Sequence, residues 1–227
     1  MLEGACGRLA EGTRTVAWKR CDKNCMKYSR VRSVLVAWGF VVAVWAPVDA
    51  QRSDTSSTVV VMETSRGEIT IRMLPSQAPN SVANFLSLVE QGFYDEMLFH
   101  RVVKDFVIQA GLIDMEGRAR QHNVEPLRNE ATPRHRNTRG TVAMARTDNP
   151  HSATTEFFIN VRDNRALDFR SFARSEIGYT VFAEVVEGMD VVNEIADIPT
   201  RRIGPFRNFP EDPVAIYRVY ILPPDVN

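Results

Sequence analysis

The sequence predicts a mainly β domain: a closed, eight-stranded antiparallel β-barrel capped by two α-helices. Three observations predict this fold class. Eight short runs are rich in β-branched and aromatic residues, most connections between neighbouring runs are short, and two longer segments carry apolar residues at helical spacing. Short connections favour antiparallel pairing, and closure of the sheet removes exposed strand edges. The chain has 227 residues, of which 44% are hydrophobic, enough for one sizeable core.

The predicted strands begin with a hairpin. Runs 59–64 and 68–73 are rich in β-forming residues, and Gly67 lies in the short connection between them. A long polar segment at 112–139 interrupts the later strands, and we expect it to be functional or mobile because such loops are uncommon in compact domains. The other six strands are predicted at 98–103, 106–110, 141–145, 157–161, 180–185 and 214–222.

Two segments predict helices that cover the ends of the barrel. Residues 79–91 have apolar side chains at helical spacing, a proline in the first turn and Gly92 just beyond the last turn. Residues 189–198 show the same spacing, and Pro199 ends the second helix. The apolar stripe of each helix is the face that we expect to pack on the core.

Arg101 is unusual among the predicted strands because its neighbours are apolar. Side chains alternate between the two faces of a strand, so Arg101 is predicted to share a face with Phe99. In the next strand the same period places Val107 and Gln109 together, and the preceding turn leaves Phe106 free to face the arginine. These residues predict an apolar dish with two hydrogen-bonding groups at its edge. Taken alone, Arg101 also fits an edge-strand arginine that extends to solvent.

The strand predicted at 157–161 contributes to the same dish. Alternation places Phe157 and Ile159 on the core side. Phe158 then lies on the opposite face, together with Glu156 and Asn160. We therefore expect Phe158, and not Phe157, to line the pocket.

These segments resemble the cyclophilin-type peptidyl-prolyl cis-trans isomerases, and their bacterial branch most closely. The resemblance covers about residues 59 to 222. It implies the same barrel with two helices and an isomerase activity of the EC 5.2.1.8 type, which accelerates rotation about Xaa-Pro bonds. The blocks that carry it, in family order, are FHRVV at 99–103, FVIQ at 106–109, NTRGTVAMAR at 137–146, SATTEFFIN at 152–160 and YTVFAEV at 179–185.

The resemblance also implies roles for individual residues. Arg101 would donate to the prolyl nitrogen in the twisted transition state, Gln109 would hold the neighbouring peptide group, and Phe106 completes the catalytic set. No cofactor or metal is implied, and the four histidines of the chain lack metal-ligand spacing. His100 is predicted to be a buried polar residue whose hydrogen bonds are satisfied. The predicted substrate-binding residues are Val107, Ala145, Arg146, Glu156, Phe158, Leu167 and Tyr179.

Three residues depart from the family pattern. Glu156 replaces the usual glutamine, which puts a carboxylate near Arg101; if the two pair, the guanidinium is oriented but partly neutralised. Ala166 stands where relatives have Trp or Phe, so we expect weak binding of cyclosporin, which packs on that aromatic ring. Ala110 replaces the first of two glycines, which we expect to be a minor adjustment.

The N-terminal segment predicts export. Basic residues at 27, 30 and 32 precede an apolar run at 33–46, and small residues Val48 and Ala50 are placed for a signal peptidase, which predicts cleavage between Ala50 and Gln51. Met26 would begin a more compact signal than Met1. An uncleaved anchor is the alternative, although the run is shorter than the roughly 20 apolar residues of a spanning helix.

The predicted organisation follows from that cleavage point. Residues 1–50 are the extension and signal peptide, 51–58 a flexible leader and 59–227 the isomerase domain. All three cysteines lie ahead of the cleavage point, so the exported protein would have none. We expect a periplasmic location and no stable membrane insertion after cleavage.

The overall charge and the family resemblance limit the kinds of partner that we expect. Lys plus Arg equal Asp plus Glu at 28 each, so bulk charge predicts no attraction to nucleic acid. The expected partners are proline-containing unfolded or exported polypeptides, and the expected state is a monomer. Two other functions are open: a non-catalytic proline-peptide-binding chaperone, and a barrel that carries a small apolar ligand, which would not require an Arg and a Gln on one face.

Overall fold

The structure, a computed structural model, describes residues 58–223. The predicted extension, the signal peptide and its cleavage site, most of the leader and all three cysteines therefore lie outside the described residues. Neither helix within 58–223 has the length and apolar character to cross a membrane.

The described part is mainly β. Its strands are β1 Val59–Thr64, β2 Gly67–Met73, β3 Met97–Leu98, β4 Arg101–Val103, β5 Val107–Ala110, β6 Thr141–Met144, β7 Phe157–Asn160, β8 Val181–Glu187, β9 Thr200–Ile203, β10 Phe206–Pro210 and β11 Ala215–Ile221. Nine of them form one antiparallel sheet in the order β3-β11-β1-β2-β8-β6-β7-β5-β4. The remaining two, β9 and β10, form a separate hairpin.

The nine-stranded sheet curls into a half-barrel, so the predicted closed barrel is approximate. Its edge strands, β3 and β4, are neighbours along the chain, separated only by Phe99 and His100. Within the described residues no ladder of hydrogen bonds joins these two strands. The sheet therefore stays open between β3 and β4, which are joined only through the chain.

The break at Phe99 and His100 corrects one prediction. The sequence predicts a single strand at 98–103, whereas β3 pairs with β11 and β4 pairs with β5. The change of partner interrupts the alternation of faces. Phe99 and Val102 both lie in the main core, and Arg101 lies outside it, so the prediction that Phe99 and Arg101 share a face is wrong.

Two helices cover the sheet, as predicted: α1 at Pro79–Glu90 and α2 at Met189–Asp197. Phe85 of α1 is fully buried and stacks on Tyr94 with ring centroids 4.9 Å apart. Ala78 at the start of α1 has no side chain able to cap the helix.

The long polar segment supplies that missing cap. One oxygen of the Glu130 carboxylate accepts a 3.0 Å hydrogen bond from the backbone N–H of Asn80, and the other accepts a 2.9 Å bond from that of Ser81. These donors have no partner inside the helix, and a negative charge is favoured at this end of the helix dipole. The segment at 112–139 is thus anchored to the domain at Glu130.

Candidate active site

A cavity of about 240 Å³ opens on the outer side of β4, β5 and β7. Glu156 does not line it, but every other residue predicted for the site does. The lining residues are Arg101, Phe106, Val107, Gln109, Ala145, Arg146, Phe158, Leu167 and Tyr179.

Strand register brings the central residues together. Arg101 of β4 lies directly opposite Gln109 of β5, and Gln109 lies opposite Phe158 of β7. Directly opposed residues of antiparallel strands have Cβ atoms roughly 4.5–5.5 Å apart, so these three side chains form a continuous row. Phe157 and Ile159 point to the other side and are fully buried in the core, as the alternation of the strand predicts.

The turn between β4 and β5 directs Phe106 into the cavity. Asp105 has a positive φ of 54°, and the Phe106 N–H donates a 3.0 Å hydrogen bond to the carbonyl of Val103. The Phe106 ring centroid lies 5.7 Å from the Arg101 guanidinium carbon. This contact leaves the guanidinium against an apolar ring on one side and a polar partner on the other.

That polar partner belongs to a chain of side chains. Arg101 Nη1 donates a 3.1 Å hydrogen bond to Gln109 Oε1, and Gln109 Nε2 donates a 2.8 Å bond to Glu156 Oε2. The same carboxylate oxygen lies 3.3 Å from His100 Nε2. Glu156 therefore acts on Arg101 through Gln109, and the structure does not contain the direct pairing that the sequence left open.

The surroundings lower the pKa of the residue at each end of this chain, which favours the charged form of Glu156 and disfavours that of Arg101. Burial alone would raise the pKa of Glu156, but the His100 imidazole and the Gln109 amide outweigh it, and the pKa lies below the usual value for glutamate. Burial lowers the pKa of Arg101 from its usual high value, which still leaves the guanidinium charged at neutral pH.

His100 departs from its prediction. It is buried, with 3% of its surface exposed, but its Nδ1 atom has no hydrogen-bond partner within the described residues. The Phe206 ring packs against the imidazole at 5.7 Å between centroids. The prediction of a fully satisfied histidine is therefore wrong for one of its two nitrogens.

The opposite wall is built around Tyr179. The Arg146 guanidinium lies over the Tyr179 ring at 4.4 Å, and the Phe158 ring meets the Tyr179 ring edge-on at 5.5 Å. Arg146 also donates from Nε to the carbonyl of Gly178 at 3.2 Å. Leu167 is held next to this wall because its carbonyl accepts the Tyr179 N–H at 3.0 Å.

Three buried asparagines support these walls, and sequence reasoning missed that role. Asn164 donates a 2.9 Å bond to the Phe106 carbonyl and a 2.8 Å bond to Asn160 Oδ1. Asn137 donates a 2.9 Å bond to the Leu167 carbonyl. Asn160 lies on the same strand face as Phe158, which was the available signal, but its partner Asn137 is 23 residues away in sequence.

The structure also shows where the other two departures from the family pattern, Ala166 and Ala110, lie. Ala166 is exposed and lines a neighbouring cavity of about 570 Å³, which shares Arg146, Leu167 and Tyr179 with the first. Ala110 is fully buried in β5 and needs no special backbone conformation. Gly111 does: its φ is 96°, and a Cβ there would lie 2.5 Å from the Thr155 carbonyl oxygen.

Within residues 58–223, no group of three or more His, Asp, Glu or Cys side chains is arranged to hold a metal ion. The cavity is lined by apolar side chains, two arginines and an amide. Such donors act by hydrogen bonding and charge on a bound group.

Comparison with characterised proteins gives one family. A family model described as cyclophilin type peptidyl-prolyl cis-trans isomerase/CLD matches residues 59–221. Peptidyl-prolyl cis-trans isomerase B of Escherichia coli (strain K12) is 45% identical over 163 residues, which cover 72% of this chain and 99% of that protein. A peptidyl-prolyl cis-trans isomerase of Acinetobacter baylyi is 45% identical over 166 residues, 73% of this chain and 86% of that one.

Solved structures agree on the fold. A Cryptosporidium parvum cyclophilin type peptidyl-prolyl cis-trans isomerase, solved in the presence of the dipeptide Ala-Pro, has a TM-score of 0.60 and 23% identity, covering 73% of this chain and 99% of that one. The cyclophilin AquaCyp293 from Hirschia baltica has a TM-score of 0.55 and 24% identity, covering 71% of this chain and 73% of that one. The fold, the matched family model and the two bacterial relatives together show that the chain belongs to the cyclophilin-type peptidyl-prolyl cis-trans isomerases.

Proposed function

We propose that Arg101 is the group that lowers the barrier to Xaa-Pro rotation in this enzyme. Arg101 reaches the cavity from β4 and uses one N–H donor in a hydrogen bond to Gln109. A guanidinium has five N–H donors, so others remain for a substrate. Its position beside the Phe106 ring places these donors at the edge of an apolar surface suited to a proline ring.

The barrier sets how much stabilisation the whole site, including Arg101, has to supply. An Xaa-Pro bond prefers trans by only about 0.5–1 kcal/mol, but it rotates over tens to hundreds of seconds because the C–N bond has partial double-bond character. A turnover of roughly 10–10³ per second requires about 4–7 kcal/mol less barrier. A few aligned donors in a largely dry site supply energies of that order.

The selectivity comes from the geometry of rotation. In the planar amide the proline nitrogen shares its electron pair with the carbonyl group and accepts no hydrogen bond. Midway through rotation the nitrogen becomes pyramidal and the pair is free. A donor at that position binds the transition state more strongly than either isomer, which is the condition for catalysis.

The size of the cavity favours a single side chain as its occupant. Pockets for drug-sized ligands enclose roughly 300–1,000 Å³, and this one encloses about 240 Å³. A proline ring, clasped by Phe106, Val107, Phe158 and Leu167, fits that scale. The alternative of a carrier for a small apolar ligand has no such support, since an arginine and an amide line the same space.

We further propose that the clients are exported proteins in the periplasm, and that the enzyme works as a monomer. The support for export is the N-terminal sequence, with its basic residues, its apolar run at 33–46 and its small residues before Gln51. The N-terminal sequence of the protein recovered from the periplasm tests this proposal. Gln51 is expected, and a protein retained in the cytoplasm would overturn it.

A protease-coupled assay on a short Xaa-Pro peptide tests the catalytic proposal against the non-catalytic chaperone. A protease that cleaves only the trans form reports isomerisation directly. Acceleration in proportion to enzyme concentration supports catalysis. Tight peptide binding without acceleration would instead assign the protein to the proline-peptide binders.

A further inference from the structure

A third cavity adjoins the cavity of about 240 Å³, here called the proline cavity, and Arg101 lines both. It encloses about 460 Å³ and lies between β4 and the β9–β10 hairpin. Its lining residues are His100, Arg101, Pro205, Phe206, Arg207 and Asn208. A polypeptide bound with its proline beside Arg101 can therefore continue into this space.

The β9–β10 hairpin forms one wall of this cavity and is held in place by apolar packing. Phe209 is buried and packs in a small apolar cluster with Leu98 and Ala215, and Phe206 packs against the same cluster. The Phe206 ring also lies against the His100 ring, at 5.7 Å between centroids. Arg207, between the two phenylalanines in sequence, is exposed on a well-supported backbone.

The charge of the hairpin is one-sided. Residues 200–210, TRRIGPFRNFP, contain three arginines and no acidic residue. Within the described part of the chain, none of these arginines has a carboxylate oxygen within 4.0 Å of it, whereas Arg66 has two carboxylate partners and Arg72 has one. The cavity itself is lined by two arginines and no carboxylate. An anionic group entering this space would meet the positive charge of Arg207, which no carboxylate of the described residues pairs; the Glu156 carboxylate lies 3.3 Å from His100 Nε2, a residue of the same cavity.

We propose that this cavity, the hairpin subsite, binds an acidic side chain of the client polypeptide close to the isomerised proline. The inference rests on the proposed function, since it assumes a proline held beside Arg101. An extended chain advances roughly 3.3 Å per residue, so an aspartate or glutamate within about three residues of the proline reaches the cavity. Arg207 is the specificity-determining residue, and Arg201 and Arg202 add to the local positive potential.

Paired peptides test the hairpin subsite. Each carries one Glu, or one Gln in the control, at a position one to three residues before or after an Xaa-Pro bond. Rates are measured by NMR exchange and Kd by fluorescence anisotropy, on the full chain. At one or more positions on one side of the proline, Glu is expected to bind about two- to fivefold more tightly than Gln, the range typical of exposed ion pairs.

Variants of Arg207 test whether the preference for Glu peptides comes from the hairpin. Arg207→Gln should remove the Glu preference and Arg207→Glu should reverse it, while turnover of the neutral peptides is unchanged. Arg218→Gln is the matched control, because Arg218 is exposed on β11 and lines neither cavity. Raising the ionic strength from ~0.01 M to ~1 M should also remove the preference, because the Debye length falls from about 30 Å to 3 Å.

The outcomes separate this inference from the proposed function. Normal turnover with equal Kd values for Glu and Gln peptides at every position would overturn the hairpin subsite and leave catalysis by Arg101 standing. A Glu preference that persists in Arg207→Gln would also overturn it. If no peptide is isomerised, the proposed function fails, and the anisotropy measurements still decide whether the subsite exists.

Discussion

The side-chain amide of Gln109 donates a 2.8 Å hydrogen bond to the Glu156 carboxylate, so its carbonyl oxygen is the end that faces Arg101. A carboxylate at neutral pH only accepts hydrogen bonds. Glu156 therefore fixes the orientation of the Gln109 amide, and through it one contact of the guanidinium. The glutamate contributes to the site without lining the cavity.

Removing the acceptor at Glu156 should weaken catalysis. In Glu156→Ala the Gln109 amide loses the partner that orients it, which is worth about 0.5–1.5 kcal/mol for one hydrogen bond. We expect kcat/KM to fall about two- to tenfold. Glu156→Gln is the matched control: it keeps an oxygen acceptor and should stay within about twofold of wild type. Equal losses in both variants would show that the charge, and not the acceptor, is what matters.

The pH dependence of stability should reveal the same carboxylate. Because the pKa of Glu156 is lower in the folded protein than in the unfolded chain, its ionised form stabilises the fold above the unfolded value of about 4.3. That contribution is lost as the pH falls through the lower folded pKa. In urea unfolding, the advantage of wild type over Glu156→Gln should be largest near neutral pH and shrink below about pH 4. An advantage that does not change down to about pH 3 would contradict the assignment.

Glu130→Ala should destabilise the domain without changing the site. It leaves the backbone donors of Asn80 and Ser81 without their cap, at a cost of about 1–2 kcal/mol. For a domain of this size that lowers Tm by about 2–8 °C in a thermal scan. Glu125→Ala, exposed in the same polar segment, is the control and should leave Tm unchanged. A Tm for Glu130→Ala equal to that of the control would mean that the cap adds nothing.

Ala166→Trp should strengthen binding of cyclosporin. Ala166 is exposed at the cavity beside the proline site, where an added ring would cover apolar ligand surface. Burying an aromatic side chain is worth about 1.5–3 kcal/mol, so we expect affinity to rise about tenfold or more in a calorimetric titration. Ala173→Trp, in the same loop but outside both cavities, should bind as weakly as wild type. Tight binding by the unmodified protein would refute the expectation.

Local pattern was sufficient for the regular parts of this fold. The strand at 59–64 and the start of each helix were predicted to the residue, because alternation, helical spacing and the prolines are local signals. The β9–β10 hairpin was missed because Thr200–Ile203 and Phe206–Pro210 carry arginines, and Gly204 and Pro205 separate them. Its strand β10 packs on β4, which no local pattern reports.

The residues of the site also divide into those that local sequence pattern predicts and those that depend on contacts distant in sequence. Phe158 was placed correctly because it lies inside a regular strand, where alternation holds. Glu156 was expected in the pocket, but it precedes the first residue of β7, where alternation no longer fixes the direction of a side chain. Its position depends on Gln109 and His100, which are distant in sequence. Contacts between residues that are distant in sequence can be identified only once the fold is known.

The measurement that tests the central claim most directly is a comparison of kcat and peptide affinity for wild type and Arg101→Ala. If Arg101 stabilises the rotating bond, kcat should fall about 10²- to 10³-fold, while the Kd for the Xaa-Pro peptide stays within about threefold and Tm hardly changes. Arg101→Lys, which keeps the charge but loses the planar fork, should retain part of the activity. A kcat for Arg101→Ala within about twofold of wild type would contradict the account.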